Sequence, residues 1–128
     1  LDVFMRPGAT SENAAQLLKS SDPAPQFAAT LIQAFIERLH VSPITLGDYG
    51  AVACVIHPEL FTTEVFDVVV DTSQGPARGQ TICDRRAPFL KSIEPNDLTD
   101  SASVRVVLDL DVAAVEQLWF KTIDKGWL

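Results

Sequence analysis

The first third of the chain alternates apolar and polar residues with a helical period. In residues 22–40 the apolar positions recur at spacings of four, one, three and four residues, and they are Phe27, Leu31, Ile32, Phe35 and Leu39. This pattern predicts one amphipathic helix. Asp22 is suited to cap its start, with Pro23 in the first helical position, and the helix should end at about Arg38 or His40.

A shorter helix is predicted before it. The segment "RPGATSEN" places turn residues before Thr10, Ser11 and Glu12, a combination typical of a capped helix start. One apolar face is expected from the residues Ala14, Leu17 and Leu18.

The segment "ITLGDYGAVACVIHPELFTT", residues 44–63, is nearly all apolar and holds one acid near its front. It predicts a helix from Asp48 to about Ile56 that is covered on most sides, because its apolar residues occupy every face. The carboxylate of Asp48 has two interpretations. It caps the helix, which contributes about 1 kcal/mol, or it is a ligand that points into a site.

The second half of the chain has β-strand character. "TEVFDVVVDT", the turn-rich "SQGPARG" and "GQTICDRR" predict a hairpin with a long loop. "APFLKSIEPNDLTDSA" is expected to be loop, and "SVRVVLDLD" a strand that leads into a last helix capped by Asp111. The order of elements predicts an α/β or α+β fold with helices first, then a β-hairpin and a closing strand–helix pair.

The composition and net charge of the chain limit the classes of partner that it is expected to bind. The chain has 128 residues, a net charge of −7 and 47% hydrophobic residues, and its pI is near 4.6. An acidic surface disfavours nucleic acid and anionic membranes, so neither is expected as a partner. Cys54 and Cys83 lie in apolar segments and are expected to be buried and reduced, which favours a cytoplasmic location.

An ordered series of motifs resembles the C-terminal part of inosine/uridine-type nucleoside hydrolases. The series consists of Asp48 followed by the small and apolar run 50–56, then "PELF" at 58–61 and "RGQT" at 78–81. "LDVFMRPGATSE" at the start and "VRVVLDLDVAAVEQL" near the end resemble further family segments in the same order. Each motif is common by itself, and the ordered series is much more specific.

The resemblance implies a fold and an activity. It implies an α/β nucleoside-hydrolase-like fold and calcium-dependent hydrolysis of the N-glycosidic bond of ribonucleosides. In that family Ca²⁺ is held mainly by Asp carboxylates, and hard oxygen ligands suit this ion. Asp48 matches one metal ligand. Phe35 and Leu39 are the nearest counterparts of the residues that face the nucleobase.

The resemblance also predicts that residues 1–128 are only a C-terminal portion of a hydrolase domain. The family's N-terminal Asp-x-Asp-x-x-x-Asp-Asp motif is absent from the sequence. A start at "LDVFMRP" is what the middle of a longer sequence would show. Where several family members place a catalytic His, this chain has Gly47, and no catalytic residue is identified. The chain alone is therefore expected to be inactive, lacking the N-terminal half of the fold.

Two other hypotheses remain. The chain could be a non-catalytic remnant, or pseudoenzyme, that acts as an interaction module, or an unrelated small α/β binding domain. Trp119, Phe120 and Trp127 are expected to be exposed and to pack on the missing half or on a neighbouring subunit of a homo-oligomer.

Overall fold

The computed structural model describes residues 2–93 and 101–127. Its helices are α1 (Ser11–Leu17), α2 (Pro23–Leu39), α3 (Gly47–Ile56), α4 (Pro88–Ile93) and α5 (Val112–Ile123). Its strands are β1 (Gly8–Ala9), β2 (Ile44–Thr45), β3 (Phe61–Val70), β4 (Thr81–Asp84) and β5 (Ala102–Leu110). None of these helices has the length and apolar character needed to cross a bilayer. The chain forms two compact units, one from residues 1–62 with 109–128 and one from 63–108.

The first two helices of the first unit begin at the predicted caps. The hydroxyl of Thr10 accepts a hydrogen bond from the Asn13 amide at 3.2 Å, and the Asn13 side chain accepts one from the Thr10 amide at 2.8 Å. The carboxylate of Asp22 accepts from the Ala24 amide at 3.0 Å. Both caps satisfy backbone donors that have no partner inside a helix. Asn13, rather than Glu12, completes the first cap.

The core of the first unit lies between α1, α2 and α5. Its buried residues are Ala9, Ala14, Leu17, Ala29, Ile32, Leu46 and Phe120. Two expectations were wrong here. Leu18 follows the end of α1 and is exposed, whereas Phe120 is only 3% exposed because its ring stacks on Trp127 with centroids 4.2 Å apart. Trp119 and Trp127 are half-buried against the same core rather than exposed.

Helix α2 buries one member of its predicted apolar stripe, Ile32, together with two smaller residues. Pro25, Ala29 and Ile32 are buried. The other members of the predicted apolar stripe are exposed, and they are Phe27, Leu31, Phe35 and Leu39. Ala29 allows α1 to approach closely, and the large side chains then lie on the outer side. The helix ends at Leu39, and His40 follows in the left-handed conformation at φ 55°.

Helix α3 forms where the sequence predicts it, and it is covered on one side only. Gly50 and Ala53 are buried, and a Cβ atom on Gly50 would lie 2.6 Å from the Phe4 ring. Val52, Val55 and Ile56 are exposed. The expectation of cover on most sides was therefore wrong, because within the described residues only one face of the helix has a packing partner.

The second unit contains the predicted hairpin. Strands β3 and β4 pair antiparallel with Val68 opposite Cys83, and β3 is the middle strand of a sheet ordered β4–β3–β5. The loop closes through the Gly79 amide, which donates to the Asp71 carbonyl at 2.7 Å, with Gly79 at φ 85°. The cysteines Cys54 and Cys83 are free, as expected, but half-buried rather than buried.

Part of the predicted loop after the hairpin is helical. Helix α4 starts at Pro88, whose missing N–H costs nothing in a first turn, and the Lys91 amide donates to the Ala87 carbonyl at 3.1 Å. Residues 94–100 of that predicted loop lie outside the described residues.

The same region contains an ion-pair cluster around Asp84. Its carboxylate accepts hydrogen bonds from Arg86 Nε at 3.0 Å and Nη2 at 2.8 Å, and Lys91 Nζ lies 3.8 Å away. The Arg86 hydrogen bonds and nearby cations hold the pKa of the Asp84 carboxyl far below its usual value of 3.8. This cluster joins the end of β4 to the residues that follow it.

Candidate functional site

Asp48 lies in the first turn of α3 and lines a cavity of about 500 Å³. Aromatic and sulfur-bearing side chains form the walls beside it, among them Phe4, Met5, Tyr49 and Trp119. The carboxylate therefore faces a space that is apolar on several sides, at the positive end of a helix dipole, a place that favours a negative charge.

The helix-cap interpretation of Asp48 is wrong. The cap position of α3 is Leu46, and no side chain makes a capping hydrogen bond there. Asp111 and Asp22, in contrast, both bond to helix amides through their carboxylates. Asp48 is exposed, and within the described residues its carboxylate makes no hydrogen bond or ion pair. It is therefore available to a ligand.

Gly47 precedes Asp48 and leaves space in the same cavity. A Cβ atom at this position would make ordinary contacts of 3.6 Å with Thr45 Oγ1 and 3.7 Å with Met5 Sδ. The structure therefore has space for a side chain at position 47. Glycine simply provides no proton donor there.

Phe35 and Leu39 lie together on an apolar groove, also of about 500 Å³, formed by α2 and the segment before α3. Met5 and Thr45 line this groove as well as the cavity that holds Asp48. The structure therefore places the two apolar residues next to the Asp48 cavity.

Met5 is a wall residue that the sequence did not single out for a role. Its sulfur accepts a weak hydrogen bond from the Thr45 hydroxyl at 3.7 Å, which holds the thioether between the two depressions. The sequence offered only the resemblance of the segment that contains Met5 to a family segment, and that resemblance carries no geometry.

Tyr49 and Trp119 close the inner side of the cavity against the core. Burial raises the pKa of the Tyr49 hydroxyl, and a hydrogen bond with Thr122 opposes part of that rise. The phenol therefore stays protonated at neutral pH and serves as a neutral wall.

The described residues around this cavity supply only part of a metal-binding site. Carboxylate oxygen is the donor that Ca²⁺ prefers, and the unpaired Asp48 fits that role. Across residues 2–93 and 101–127, however, no three carboxylate, His or Cys side chains are grouped closely enough to hold a metal ion. Calcium takes six to eight oxygen ligands, so one carboxylate fits as a single member of a larger set.

The family model for inosine-uridine preferring nucleoside hydrolases matches residues 1–117. The chain belongs to this family. Solved structures agree on the fold: a plant nucleoside hydrolase superposes with a TM-score of 0.77 at 19% identity, and an inosine-guanosine nucleoside hydrolase with 0.76 at 16%. A purine-preferring ribonucleoside hydrolase from Gardnerella vaginalis gives 0.70 at 27%. No protein of curated function matches by sequence alone.

The match covers nearly all of this chain and a minor part of each relative. It includes 96% of this chain and 39% of the plant enzyme, 96% and 37% for the Gardnerella enzyme, and 97% and 37% for the inosine-guanosine enzyme. The chain thus spans well under half the length of these hydrolases and has the nucleoside-hydrolase α/β fold over that part.

Proposed function

We propose that this chain is part of a nucleoside N-ribohydrolase that cleaves the N-glycosidic bond of ribonucleosides, with Asp48 as one calcium ligand. The observation that carries the proposal is the Asp48 carboxylate. It is exposed, unpaired within the described residues and set in a cavity, in a chain that belongs to a nucleoside hydrolase family.

In this proposal Asp48 binds the metal ion, and Phe35 and Leu39 bind the nucleobase. A bound calcium ion would supply positive charge to hold hydroxyl groups and to acidify a water molecule. Helix α3 fixes the direction of Asp48, because the first turn is anchored by the packing of Gly50 on Phe4. Phe35 and Leu39 form an apolar surface against which a nucleobase would lie and exclude water. Gly47 donates no proton, so another group protonates the leaving base.

The 128 residues supply one ligand and part of the base pocket, and the remaining ligands come from the rest of the hydrolase fold. The chain alone is then inactive. In a calcium titration followed by calorimetry, the isolated chain should show no micromolar site, whereas the complete hydrolase should show one. Micromolar binding by the isolated chain would contradict the incompleteness of the site.

The activity test uses ribose release from inosine and from uridine by the complete gene product. Replacement of Asp48 by Ala should lower turnover by more than about 100-fold, beyond the effect of losing an outer-shell partner. The matched control is Asp22→Ala, which removes an acid from another helix start in the same unit. Unchanged turnover in Asp48→Ala would exclude the ligand role.

A non-catalytic remnant is the second candidate, because it accounts for the same incomplete metal site. The described residues contain no group of three metal-binding side chains. The coding sequence decides between the two: an in-frame Asp-x-Asp-x-x-x-Asp-Asp segment upstream supports the enzyme, and a start codon directly before Leu1 supports the remnant.

The proposal extends to the setting of the reaction. Release of a free base and ribose is a step of nucleoside salvage, and the free thiols of Cys54 and Cys83 fit a reducing cytoplasm. A homo-oligomer of the complete hydrolase is part of the same proposal. Sedimentation of that protein measures its assembly directly, and a monomer at all concentrations would refute this part.

A further inference from the structure

Thr45 is an exposed residue at the junction of the two apolar depressions. Its side chain lines the cavity that holds Asp48 and also the groove that holds Phe35 and Leu39. Met5 lines both depressions as well. A ligand that extends from the Asp48 carboxylate into the groove therefore passes over Thr45 and Met5.

The backbone around Thr45 is anchored on both sides. Strand β2 pairs antiparallel with β1, and Thr45 lies opposite Gly8. The next amide, that of Leu46, donates to the Pro7 carbonyl at 2.9 Å, and the Leu46 side chain is buried in the core. Asp48 follows three residues after Thr45, in the first turn of α3. The hydroxyl and the carboxylate therefore belong to one short, anchored segment.

The Thr45 hydroxyl has a weak partner. Within the described residues its one hydrogen bond goes to the Met5 sulfur, at 3.7 Å. A thioether sulfur is a weak acceptor, so an oxygen or a ring nitrogen that enters the cavity competes for the same donor. The other hydroxyl that lines this cavity belongs to Tyr49, which already has a hydrogen bond with Thr122.

The family description names inosine and uridine, and these nucleosides present a matching acceptor beside the glycosidic bond. N3 of hypoxanthine and O2 of uracil lie on the same edge of the base, two bonds from the glycosidic nitrogen. When the bond between C1′ and that nitrogen breaks, its electron pair goes to the base, and negative charge spreads onto N3 or O2. Water supplies the hydroxyl group that C1′ gains and the proton that the free base gains, so Thr45 keeps its own proton.

We propose that Thr45 is a catalytic residue that contacts the leaving base. Its hydroxyl donates a hydrogen bond to N3 of a purine or O2 of a pyrimidine and stabilises the charge that develops there. A donor aimed at developing charge stabilises the transition state more than the substrate. This step rests on the proposed function, and it gives the site a hydrogen-bond donor to the base, which Gly47 does not provide.

The test measures ribose release from inosine and uridine by the complete gene product. Thr45→Val keeps the β-branched shape and removes the hydroxyl. It should lower kcat by about tenfold or more, with a smaller change in KM, because the lost hydrogen bond is to a group that becomes charged in the transition state. Thr45→Ser retains the hydroxyl and should therefore keep most of the turnover.

The matched control is Thr30→Val. The Thr30 hydroxyl donates to the Gln26 carbonyl within α2 at 2.9 Å, and Thr30 lines neither depression. This variant should keep native turnover. Equal losses in Thr30→Val and Thr45→Val, or native turnover in Thr45→Val, would overturn the role of Thr45.

A substrate analogue tests the acceptor itself. In 3-deazainosine a C–H group replaces N3, so the hydrogen bond from Thr45 has no acceptor. Thr45→Val should then lower kcat for 3-deazainosine much less than it lowers kcat for inosine. Equal fold-losses on the two substrates would overturn the contact with N3. The comparison is made within one variant, so a general loss of folded protein cancels.

Failure of this role and failure of the proposed function give different results. Calcium affinity should be unchanged in Thr45→Val and lost in Asp48→Asn. Ribose release by the native protein together with native turnover in Thr45→Val retains the hydrolase and removes the role of Thr45. A selective loss on inosine in Thr45→Val together with native turnover in Asp48→Asn retains Thr45 and removes the ligand role of Asp48. A native protein that releases no ribose from either nucleoside contradicts both.

Discussion

Two regions of the first unit differ in how far their apolar side chains are buried. One is the contact between α1 and α2, and the other is the surroundings of α3. Ala14 and Leu17 of α1 and Ala29 of α2 are fully buried by residues of this chain. Helix α3 is at least as apolar, yet it buries only Gly50 and Ala53, and its aliphatic residues Val52, Val55 and Ile56 are exposed. Similar apolar sequences thus have different environments in the same unit.

Residues of this chain cover the buried faces of α1 and α2 but only one face of α3, within the part that the structure describes. Helices α1 and α2 have their own caps and close a small core together with α5. Helix α3 has one anchored face and one open face, and the open face begins with the unpaired Asp48. The candidate site therefore lies at the border between the completed core and the uncovered surface.

The largest expected effect contrasts two adjacent leucines. Leu17 is fully buried in the core, and Leu18 is exposed at the end of α1. Leu17→Ala should destabilise the isolated chain by about 2–5 kcal/mol, because contacts are lost and a cavity is left. Leu18→Ala should lower the free energy of unfolding by less than about 1 kcal/mol. Urea unfolding measures both. Equal costs would mean that the core is not closed.

The anchored face of α3 is tested by two glycines. Gly50→Ala introduces a Cβ atom 2.6 Å from the Phe4 ring, so the ring must move, at an expected cost of about 1–2 kcal/mol. Gly47→Ala is the control, because its Cβ atom has only ordinary contacts. Thermal unfolding of the two variants should therefore diverge. A stabilised Gly50→Ala variant would show that Phe4 does not pack tightly on α3.

Two acids at helix starts separate capping from ligand binding. Asp22→Ala removes a capping hydrogen bond and should cost about 1 kcal/mol. Asp48→Ala removes no such bond, so its unfolding free energy should fall by only about 0.3 kcal/mol, the helix-dipole contribution. Urea titration of the isolated chain compares them. A loss in Asp48→Ala as large as that in Asp22→Ala would restore the cap role.

The smallest expected effect on stability comes from two ion pairs, one with a buried carboxylate, Asp84, and one with an exposed carboxylate, Asp109. The side chain of Asp84 is 6% exposed beside Arg86, and that of Asp109 is 61% exposed beside Arg6. Hydrogen bonds from these arginines lower the pKa of both carboxyls. Asp84→Asn should therefore lower Tm by a few degrees at pH 7, and Asp109→Asn by less, because exposed pairs contribute little.

The pH dependence of these two variants has a defined sign. The folded carboxyls have lower pKa values than the unfolded ones, so the unfolded state binds more protons as pH falls below about 3.8. The stabilisation is present above that pH and is lost as pH falls through the folded-state pKa. The Tm difference between the native chain and Asp84→Asn should shrink over that range. A difference that grows with acidification would contradict the ion pair.

Local signals in the sequence predicted much of the fold. The caps at Thr10, Asp22 and Asp111 and the turn residues before β4 act over a few positions, and each one lies where it was expected. The apolar period of α2 was also right. The face that it buries was not, because periodicity shows which residues share a face but not whether a partner covers that face.

The site was predictable only through its resemblance to a family. The ordered motifs around Asp48 led to the hydrolase family, which the family model supports over residues 1–117. The exposed side of α3 and the role of Met5 as a shared wall depend on how separate segments meet in space. Helix α4 was missed because its short apolar run lies among turn residues typical of a loop.

The most direct test of the account is a calorimetric calcium titration of the complete hydrolase that contains these residues, with and without Asp48→Asn. The substitution keeps the size of the side chain and removes its charge. The account predicts a micromolar site in the native protein and a loss of affinity of more than about 100-fold in the variant. Equal calcium affinity in the two proteins would contradict the assignment of Asp48 as a metal ligand.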